Sequence, residues 1–339
     1  MTDPKIAILG TGAQGAGIGA DIVRSGYDVT FIEQWPAHVE AMKRRGIEVR
    51  MPNQTRITPV RAMHLCDVAT LRERFDIVFL VTKAYDTRWA CELIRPVLAD
   101  DGLVVGLQNG MSIDDIAAVL GVEHTIGAVI EMASNMFEAG IVNRENTPET
   151  AWFAVGGLDA PTHTRAREVS EVLRHAGTVE ISDDIRSSKW MKLVANAGEL
   201  VPSAILGLPL AQAAADPAVR AFMNVCCLEA ATAAVASGNR LRPVFGLSDS
   251  DVTDPRSYST RLLDIVLERF SSPLTRTTVL QDWMKGRRAE VDAINGTVVK
   301  AIGDAAPANR TAIEIALRIE SGELYPSPEN AALLTTMRT

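Results

Sequence analysis

Short apolar segments alternate with amphipathic ones through the first half of the chain. Seven segments are rich in β-branched and other apolar residues and have the length of a strand; they cover residues 5–10, 28–33, 76–82, 102–108, 124–130, 150–157 and 178–182. The segments between them have apolar residues at helical spacing. Strands that alternate with helices predict a mainly parallel sheet covered by helices, so we expect an α/β domain over residues 1–184.

The pattern changes after residue 184. Residues 186–238 and 274–322 are rich in alanine, leucine, methionine and charged residues, with apolar positions at helical spacing and few candidate strands. Residues 239–258 contain two prolines and several serines and aspartates, which indicates a loop between the two helical stretches. We therefore predict an all-helical second domain over residues 185–330, followed by a tail at 331–339.

The first apolar segment runs directly into a glycine-rich loop, Gly10-Thr11-Gly12-Ala13-Gln14-Gly15. In a strand–loop–helix unit the first glycine allows a tight turn, the second lets the backbone approach a diphosphate, and the third lets helix and strand pack closely. A diphosphate binds there because free N–H groups and the positive end of the helix dipole face it. All six residues are therefore predicted to bind a dinucleotide cofactor, in a Rossmann-like fold.

Glu33 ends the second strand segment, 18 residues after Gly15. A carboxylate at this position accepts hydrogen bonds from the two hydroxyls of the adenosine ribose and repels a 2′-phosphate, so NAD(H) is favoured as the cofactor. In the alternative, Glu33 faces solvent, nearby Lys43, Arg44 and Arg45 bind a 2′-phosphate, and the cofactor is NADP(H).

The composition is that of an ordinary globular protein of two domains. The chain has 339 residues, of which 47% are hydrophobic and 22% charged, and a net charge of −8. This acidic balance, without a dense cluster of lysine and arginine, argues against nucleic acid as a partner. The N-terminal sequence has no apolar signal core, and no segment approaches the roughly 20 apolar residues of a membrane span. We therefore expect a cytoplasmic protein without a membrane segment.

The spacing of histidine and cysteine does not indicate a metal site. The four cysteines show no metal-type spacing and the histidines are scattered, so no metal ligand is assigned. Each histidine is expected at the surface or at a helix cap; the five are His38, His64, His124, His163 and His175.

Polar residues follow two of the central strand segments. Lys83 comes directly after the segment 76–82, and Asn109 comes after the segment 102–108. Ligands of open α/β sheets bind beyond the carboxyl ends of the strands, so both residues are candidates for contact with a cofactor or substrate. Alternatively, Lys83 is a solvated loop lysine, and Asn109 forms a turn with Gly110.

The segment 187–196 begins the helical domain and carries two lysines and an asparagine. Lys189, Lys192 and Asn196 lie on one face of a helix because residues three and four apart are neighbours. Apolar residues lie between them, so we expect this face to line a partly buried cleft, where burial lowers the pKa of a lysine toward the range of a proton donor. The alternative is an exposed pair of residues four apart.

Together these segments resemble the ketopantoate reductase (2-dehydropantoate 2-reductase) family. The motifs that carry the resemblance are the glycine-rich loop, VTKAYDT at 81–87, LQNG at 107–110, KLVAN at 192–196 and LQDWMKGRRAEVDAING at 280–296. The last motif is much more specific for this family than the first. Considered without the resemblance, its residue pattern indicates only a charged amphipathic helix with no assigned function. The resemblance implies a Rossmann-like domain followed by a helical domain, an active site between them, and a homodimer.

The resemblance also implies hydride transfer between a nicotinamide cofactor and the ketone carbon of a 2-oxo acid. Lys192 would be the general acid that protonates the nascent alkoxide, and Glu290 would bind the substrate and help to position that lysine. Asn109 and Asn196 would orient the substrate and the nicotinamide. Lys83 would lie beside both the cofactor and the substrate.

Three positions stand out against the usual family pattern. Thr278 replaces a serine that touches the substrate. Leu200 lies one helical turn beyond Asn196, where the family usually carries a second asparagine, so a polar contact has become apolar and a bulkier or less polar oxo acid or ketone should fit better than ketopantoate. Glu33 favours NAD(H), whereas characterised members mostly favour the phosphorylated cofactor.

Two other functions are compatible with the sequence. One is a related dehydrogenase of β-hydroxyacid, opine or imine-reducing type, in which a lysine and an asparagine four apart on a helix also occur; the EVDAING sequence argues against it. The other is a non-catalytic redox sensor that keeps the nucleotide fold. The presence of both Lys192 and Glu290 argues against a sensor.

Overall fold

The computed structural model describes residues 3–335, and the chain divides into two compact units. The first unit contains the chain up to Gln108 together with Ser112–Ile185. The second unit contains Asn109–Met111 together with the chain from Arg186 onward. Asn109–Met111 therefore belong to the second unit, although they lie within the range predicted for the first domain.

The strands of the first unit are β1 (Ile6–Leu9), β2 (Val29–Glu33), β3 (Ile47–Met51), β4 (Gln54–Thr58), β5 (Arg61–His64), β6 (Phe75–Leu80), β7 (Leu98–Gly106), β8 (Thr125–Glu131), β9 (Ser134–Glu138), β10 (Ile141–Arg144), β11 (Trp152–Gly157) and β12 (Thr178–Ile181). Eight of them form one sheet in the order β12–β11–β8–β7–β6–β1–β2–β5. All neighbouring pairs are parallel except β8 and β11. The predicted mainly parallel sheet is confirmed.

A second sheet, in the order β4–β3–β10–β9, was not predicted. Its strands are four or five residues long. In β3 the residues Ile47, Val49 and Met51 are buried, whereas Glu48 and Arg50 face outward. Such half-buried strands lack the continuous apolar segment on which the prediction of the parallel strands rested.

Helices pack on the large sheet and make up the described part of the second unit. The first unit has α1 (Ala13–Arg24), α2 (Pro36–Arg45), α3 (Thr87–Ile94), α4 (Ile113–Leu120) and α5 (Ala160–Leu173). They are followed by α6 (Ile185–Ile205), α7 (Leu210–Ala214), α8 (Pro217–Ala236), α9 (Pro255–Ile265), α10 (Thr278–Met284), α11 (Val291–Ile302), α12 (Pro307–Glu320) and α13 (Ala331–Thr335). An α/β domain followed by a helical domain is therefore confirmed.

Two boundaries differ from the prediction. α9 begins at Pro255, inside the predicted loop 239–258, because the side chain of Asp254 caps it by accepting hydrogen bonds from the backbone N–H groups of Arg256 and Ser257. α13 occupies residues 331–335 of the predicted tail, and residues 336–339 lie outside the described part of the chain.

α8 reaches the length and mean hydropathy of a membrane-spanning helix, which the sequence analysis did not expect. Of its most apolar window, 56% is buried inside the protein, as in a core helix. Glu229 on α8 is also buried, and its carboxylate accepts hydrogen bonds of 2.9 Å from the backbone N–H groups of Ala308 and Asn309 at the start of α12. α8 therefore packs through both apolar and polar contacts.

Candidate active site

The glycine-rich loop joins β1 to α1. Gly10 has a φ of 92°, and a Cβ on it would lie 2.7 Å from the backbone nitrogen of Thr82, so a larger residue does not fit. A Cβ on Gly15 would lie 2.3 Å from the carbonyl oxygen of Gly10, so strand and helix meet there without a side chain between them. A Cβ on Gly12 would meet nothing within 4 Å. The loop is thus tightly packed against neighbouring backbone at Gly10 and Gly15, whereas the space beside Gly12 is empty.

The N-terminus of α1 has the features of an anion site. Gly12 is its N-cap, no side chain caps the helix, and its first turn contains no acidic residue. The backbone N–H groups of this turn and the positive end of the helix dipole therefore face no competing carboxylate of their own turn. The side chain of Gln14 is turned toward the protein and donates to the carbonyl oxygen of Met132 at 2.6 Å. These residues fit the diphosphate of a dinucleotide.

Glu33 ends β2, and its carboxylate is buried against the loop. One oxygen accepts hydrogen bonds from the backbone N–H of Thr11 at 2.7 Å and from the Thr11 hydroxyl at 3.0 Å. The other oxygen accepts from the backbone N–H groups of Gln34 and Trp35, both at 2.9 Å. Glu33 therefore holds the loop to the end of β2, a role that its position in the sequence does not reveal.

His38 corrects the expectation that each histidine lies at the surface or at a cap. It is fully buried on α2, where its Nδ1 accepts from the backbone N–H of Gly140 at 2.9 Å and its Nε2 donates to the carbonyl oxygen of Thr11 at 2.8 Å. Burial lowers the pKa of His38, against the opposing effects of the Thr11 hydrogen bond and the charge of Glu33. A neutral His38 therefore links the nucleotide loop to the turn between β9 and β10.

Lys83 lies immediately beyond β6 and is half-buried. Gln108, at the end of β7, holds this region in place because its side-chain amide donates to the hydroxyl of Thr87 at 2.8 Å and to that of Thr82 at 3.3 Å. Thr82 is also the residue against which Gly10 packs. The structure thus brings Lys83 to the same edge of the sheet as the glycine-rich loop, as predicted for a strand end.

In the second unit, α6 presents Lys192, Asn196 and Leu200 at successive turns of one face. The Nζ atom of Lys192 lies 3.7 Å from a carboxylate oxygen of Glu199, and the two side chains are only 11% and 5% exposed. This ion pair joins residues seven apart, which lie two turns from each other on the same face of the helix. Lys189 is buried on the same helix.

Two polar side chains near this face have buried atoms without a partner. Among the residues that the structure describes, neither the oxygen nor the nitrogen of the Asn196 amide, nor the hydroxyl of Thr278, has a hydrogen-bond partner. Thr277, directly before Thr278, donates from its hydroxyl to the carbonyl oxygen of Leu200 at 3.0 Å, so the start of α10 is fixed to α6. Buried polar atoms without partners are rare, and a bound polar ligand or a water molecule would satisfy them.

The start of α11 and the segment 109–111 complete the same region. Glu290 is the N-cap of α11 and is buried. Asn295 on α11 donates to the carbonyl oxygen of Ala197 at 3.0 Å, which fixes α11 to α6 next to Asn196. A Cβ on Gly110 would lie 2.7 Å from the carbonyl oxygen of Ala293, so the half-buried Asn109 lies beside the first turn of α11.

Phe245 lies in the loop between α8 and α9. Its ring centroid is 5.3 Å from the Nζ atom of Lys192, which is a cation–π geometry. It has a φ of 59°, a left-handed conformation that costs a non-glycine residue about 1–2 kcal/mol. Lys192 is therefore bordered by a carboxylate and by an aromatic ring.

Sequence reasoning missed two of these residues. Glu199 lies seven residues after Lys192, which is two helical turns, so a helical projection alone would have placed it on the face of Lys192. Phe245 gave no signal, because neither its left-handed backbone nor its packing on a distant helix is encoded in the adjacent sequence.

A dinucleotide-type loop at the N-terminus, followed by a helical unit that holds a buried lysine, defines a class of two-domain nicotinamide-dependent oxidoreductases. Comparison with known proteins gives the family. The family model for ketopantoate reductase PanE/ApbA matches residues 6–156, and the family model for the ketopantoate reductase C-terminal domain matches residues 184–320. This chain belongs to the ketopantoate reductase family.

Individual relatives agree with this assignment. The chain is 30% identical over 332 residues to 2-dehydropantoate 2-reductase of Archaeoglobus fulgidus, covering 95% of this chain and 100% of that one. Its fold is similar to a PanE/ApbA family ketopantoate reductase from Ralstonia eutropha, with a TM-score of 0.76 and 27% identity over 94% of this chain and 99% of that one. It is also similar to a D-mandelate dehydrogenase in complex with NADH and anilino(oxo)acetate, with a TM-score of 0.82 and the same coverages; at 21% identity this shows the fold alone.

Proposed function

We propose that this chain is an NAD(H)-dependent oxidoreductase that interconverts a 2-oxo acid, or a related ketone, and the corresponding alcohol. The observation that carries the proposal is the buried Lys192–Glu199 pair beside the unpartnered amide of Asn196. A buried ammonium supplies a proton, and an unpartnered amide offers both a donor and an acceptor to a polar substrate.

A bound nicotinamide supplies the hydride, and the residues of this chain manage the charge and the proton. Lys192 holds an ammonium group that stabilises the negative charge on the substrate oxygen and gives it a proton. Asn196, Thr278 and Asn109 orient the substrate through their polar atoms. Glu290 binds the substrate from the start of α11. In the reverse direction Lys192, as the neutral amine, accepts the proton of the alcohol.

NADH is the proposed cofactor because of the charge at the end of β2. The buried carboxylate of Glu33 repels a 2′-phosphate, and the residues directly after it, Gln34 and Trp35, carry no positive charge. The alternative phosphate ligands lie at the far end of α2: Lys43 is about 10 Å along the helix from Pro36 at 1.5 Å per residue, and its ammonium is paired with Glu40.

The proposed substrate is less polar than ketopantoate. Leu200 is buried on the face of α6 that carries Lys192 and Asn196, and it offers no partner to a substrate hydroxyl. A hydroxyl that loses its partner on binding costs on the order of 1–3 kcal/mol. We therefore propose a 2-oxo acid that has no hydroxyl facing Leu200. We also propose that Lys83, at the edge of the large sheet, contacts the cofactor and the substrate.

Two further predictions from the sequence accompany this function. A cytoplasmic location was predicted from the composition, and a homodimer is implied by the family resemblance; sedimentation of the purified protein tests the second. The non-catalytic sensor is the second candidate function, and it would require that the ion pair of Lys192 has only a structural role.

The test is oxidation of NADH and NADPH by the purified protein across a panel of 2-oxo acids, ketones, β-keto acids and imines, with ketopantoate included. Reduction of 2-oxo acids with a higher kcat/KM for NADH supports the proposal. A higher kcat/KM for NADPH removes the cofactor assignment, and reduction of ketopantoate above all others removes the substrate assignment. Cofactor binding without turnover of any compound would favour the sensor.

A further inference from the structure

Phe245 has a backbone conformation that its side chain does not favour. Within residues 3–335 it is the non-glycine residue with a positive φ, and the next residue, Gly246, has a φ of 77°. Two consecutive left-handed residues turn the chain sharply at this point. A conformation of this kind persists only where the surrounding structure over-determines it, and such positions cluster at functional sites.

The ring that this turn presents is well fixed. Phe245 is 2% exposed, and its ring meets the ring of Phe270 edge-on at a centroid distance of 5.8 Å. The ammonium group of Lys192 lies 5.3 Å from the centroid of the same ring. The loop therefore delivers an aromatic face to the group proposed to protonate the substrate.

This position constrains what lies beside the reacting carbonyl. An oxygen that takes a proton from Lys192 must approach Nζ to about 3 Å. Because the ring centroid is only 5.3 Å from the same atom, Phe245 is within reach of a substituent of the carbonyl carbon on that side. Leu200, two turns along α6 from Lys192, adds a second apolar surface.

The second substituent of the carbonyl carbon is expected to meet polar atoms instead of the ring of Phe245. The amide of Asn196 and the hydroxyl of Thr278 are buried and without partners, so they suit the carboxylate of a 2-oxo acid. The two substituents of the carbonyl carbon thus meet unlike surroundings, one polar and one apolar.

We propose that Phe245 is a specificity-determining residue, and that the substrates are 2-oxo acids whose carbonyl carbon carries an aryl group or a branched alkyl group without a hydroxyl. The proposal rests on the proposed function. Aromatic rings gain from edge-on or offset contact with another ring beyond the area they bury, so aryl substrates should benefit most. A small side chain gains little contact with the ring, and a hydroxylated one leaves its hydroxyl without a partner.

The experiment compares kcat/KM for phenylglyoxylate and 3-methyl-2-oxobutanoate with that for pyruvate and ketopantoate, using NADH. Wild-type protein should prefer the first two by about tenfold or more. In Phe245→Leu the ratio of phenylglyoxylate to pyruvate should fall about tenfold. This ratio cancels any effect of the ring on Lys192 that both substrates share.

Two further variants keep the test decisive. Phe245→Gly suits the left-handed backbone and removes the ring, so it should fold and should show at least the same loss of preference. Phe222→Leu, a matched change at a buried phenylalanine of α8 outside the site, should leave the ratio unchanged.

The experiment distinguishes failure of the proposed function from failure of the role assigned to Phe245. If no 2-oxo acid is reduced by the wild-type protein, the proposed function falls and this inference with it. If 2-oxo acids are reduced, but the ratio is the same in wild-type, Phe245→Leu and Phe245→Gly proteins, only the role of Phe245 is overturned. A wild-type preference for pyruvate or ketopantoate overturns the substrate class.

Discussion

Replacing Glu199 by glutamine removes the negative charge from the ion pair with Lys192 and changes little in shape. The two charged atoms are 3.7 Å apart, and both side chains are at least 89% shielded from solvent. At this separation two unit charges attract by about 4 kcal/mol with an effective dielectric constant of 20. Loss of one partner from a buried pair typically destabilises a protein by about 3–5 kcal/mol, because the other charge stays buried without compensation. We expect Glu199→Gln to lose stability toward the lower end of that range.

Chemical denaturation of four proteins measures this effect. The wild type, Glu199→Gln, Lys192→Met and the double variant form a thermodynamic cycle that isolates the interaction of the two side chains. Each single variant keeps one charge of this pair, whereas the double variant keeps neither. The free energy of unfolding of the double variant should therefore exceed the value expected from adding the two single losses. The excess should be at least about 2 kcal/mol, the order of magnitude for a buried charge pair.

The same variant has a kinetic signature. The carboxylate of Glu199 favours the ammonium form of Lys192, whereas oxidation of an alcohol needs the neutral amine as the proton acceptor. In Glu199→Gln the pH profile of kcat for alcohol oxidation should therefore shift to lower pH, and Glu199→Asp, which keeps the charge, should shift it much less. Additive losses of stability together with an unchanged pH profile would refute this account of Glu199.

Three other predictions follow from the site. Glu33→Gln removes the charge that repels a 2′-phosphate, so the preference for NADH over NADPH in kcat/KM should fall about tenfold, the equivalent of about 1.4 kcal/mol; an unchanged preference would show that Glu33 does not select the cofactor. His38 has a pKa below its unfolded value of 6.5, so its contribution to stability is present above that pH and is lost as the pH falls below it; the melting temperature of His38→Gln should depend less on pH between 7 and 5 than that of the wild type. Leu200→Asn should raise kcat/KM for ketopantoate relative to 3-methyl-2-oxobutanoate, and no change would mean that residue 200 does not face the substrate.

Local patterns predicted the elements that place the site. The glycine-rich loop followed a buried strand, and its signal came from three glycines and the adjacent helix. The face of α6 followed from the spacing of Lys192 and Asn196 alone. Both depend on residues that are neighbours in sequence, so the sequence carries the information directly.

The rest depended on contacts between distant segments. The small sheet pairs β3 with β10, which are separated by about 90 residues, and neither strand is continuously apolar. His38 could be recognised as a bridge only once Gly140 was known to lie beside it. Phe245 needed the packing of a loop against α6. In each case the residue type is ordinary, and its role arises from the fold.

The central claim is that Lys192 protonates the product oxygen. Its most direct test is single-turnover reduction of a 2-oxo acid by two variants saturated with NADH. The variants are Lys192→Met and the double variant Lys192→Met/Glu199→Gln. The double variant also removes the charge of Glu199, whose carboxylate lies 3.7 Å from the ammonium of Lys192 in the wild type. Both variants should bind NADH with the affinity of the wild type and reduce the substrate about 10²–10⁴-fold more slowly, the usual contribution of a general acid. Reduction at the wild-type rate by the double variant would contradict the claim.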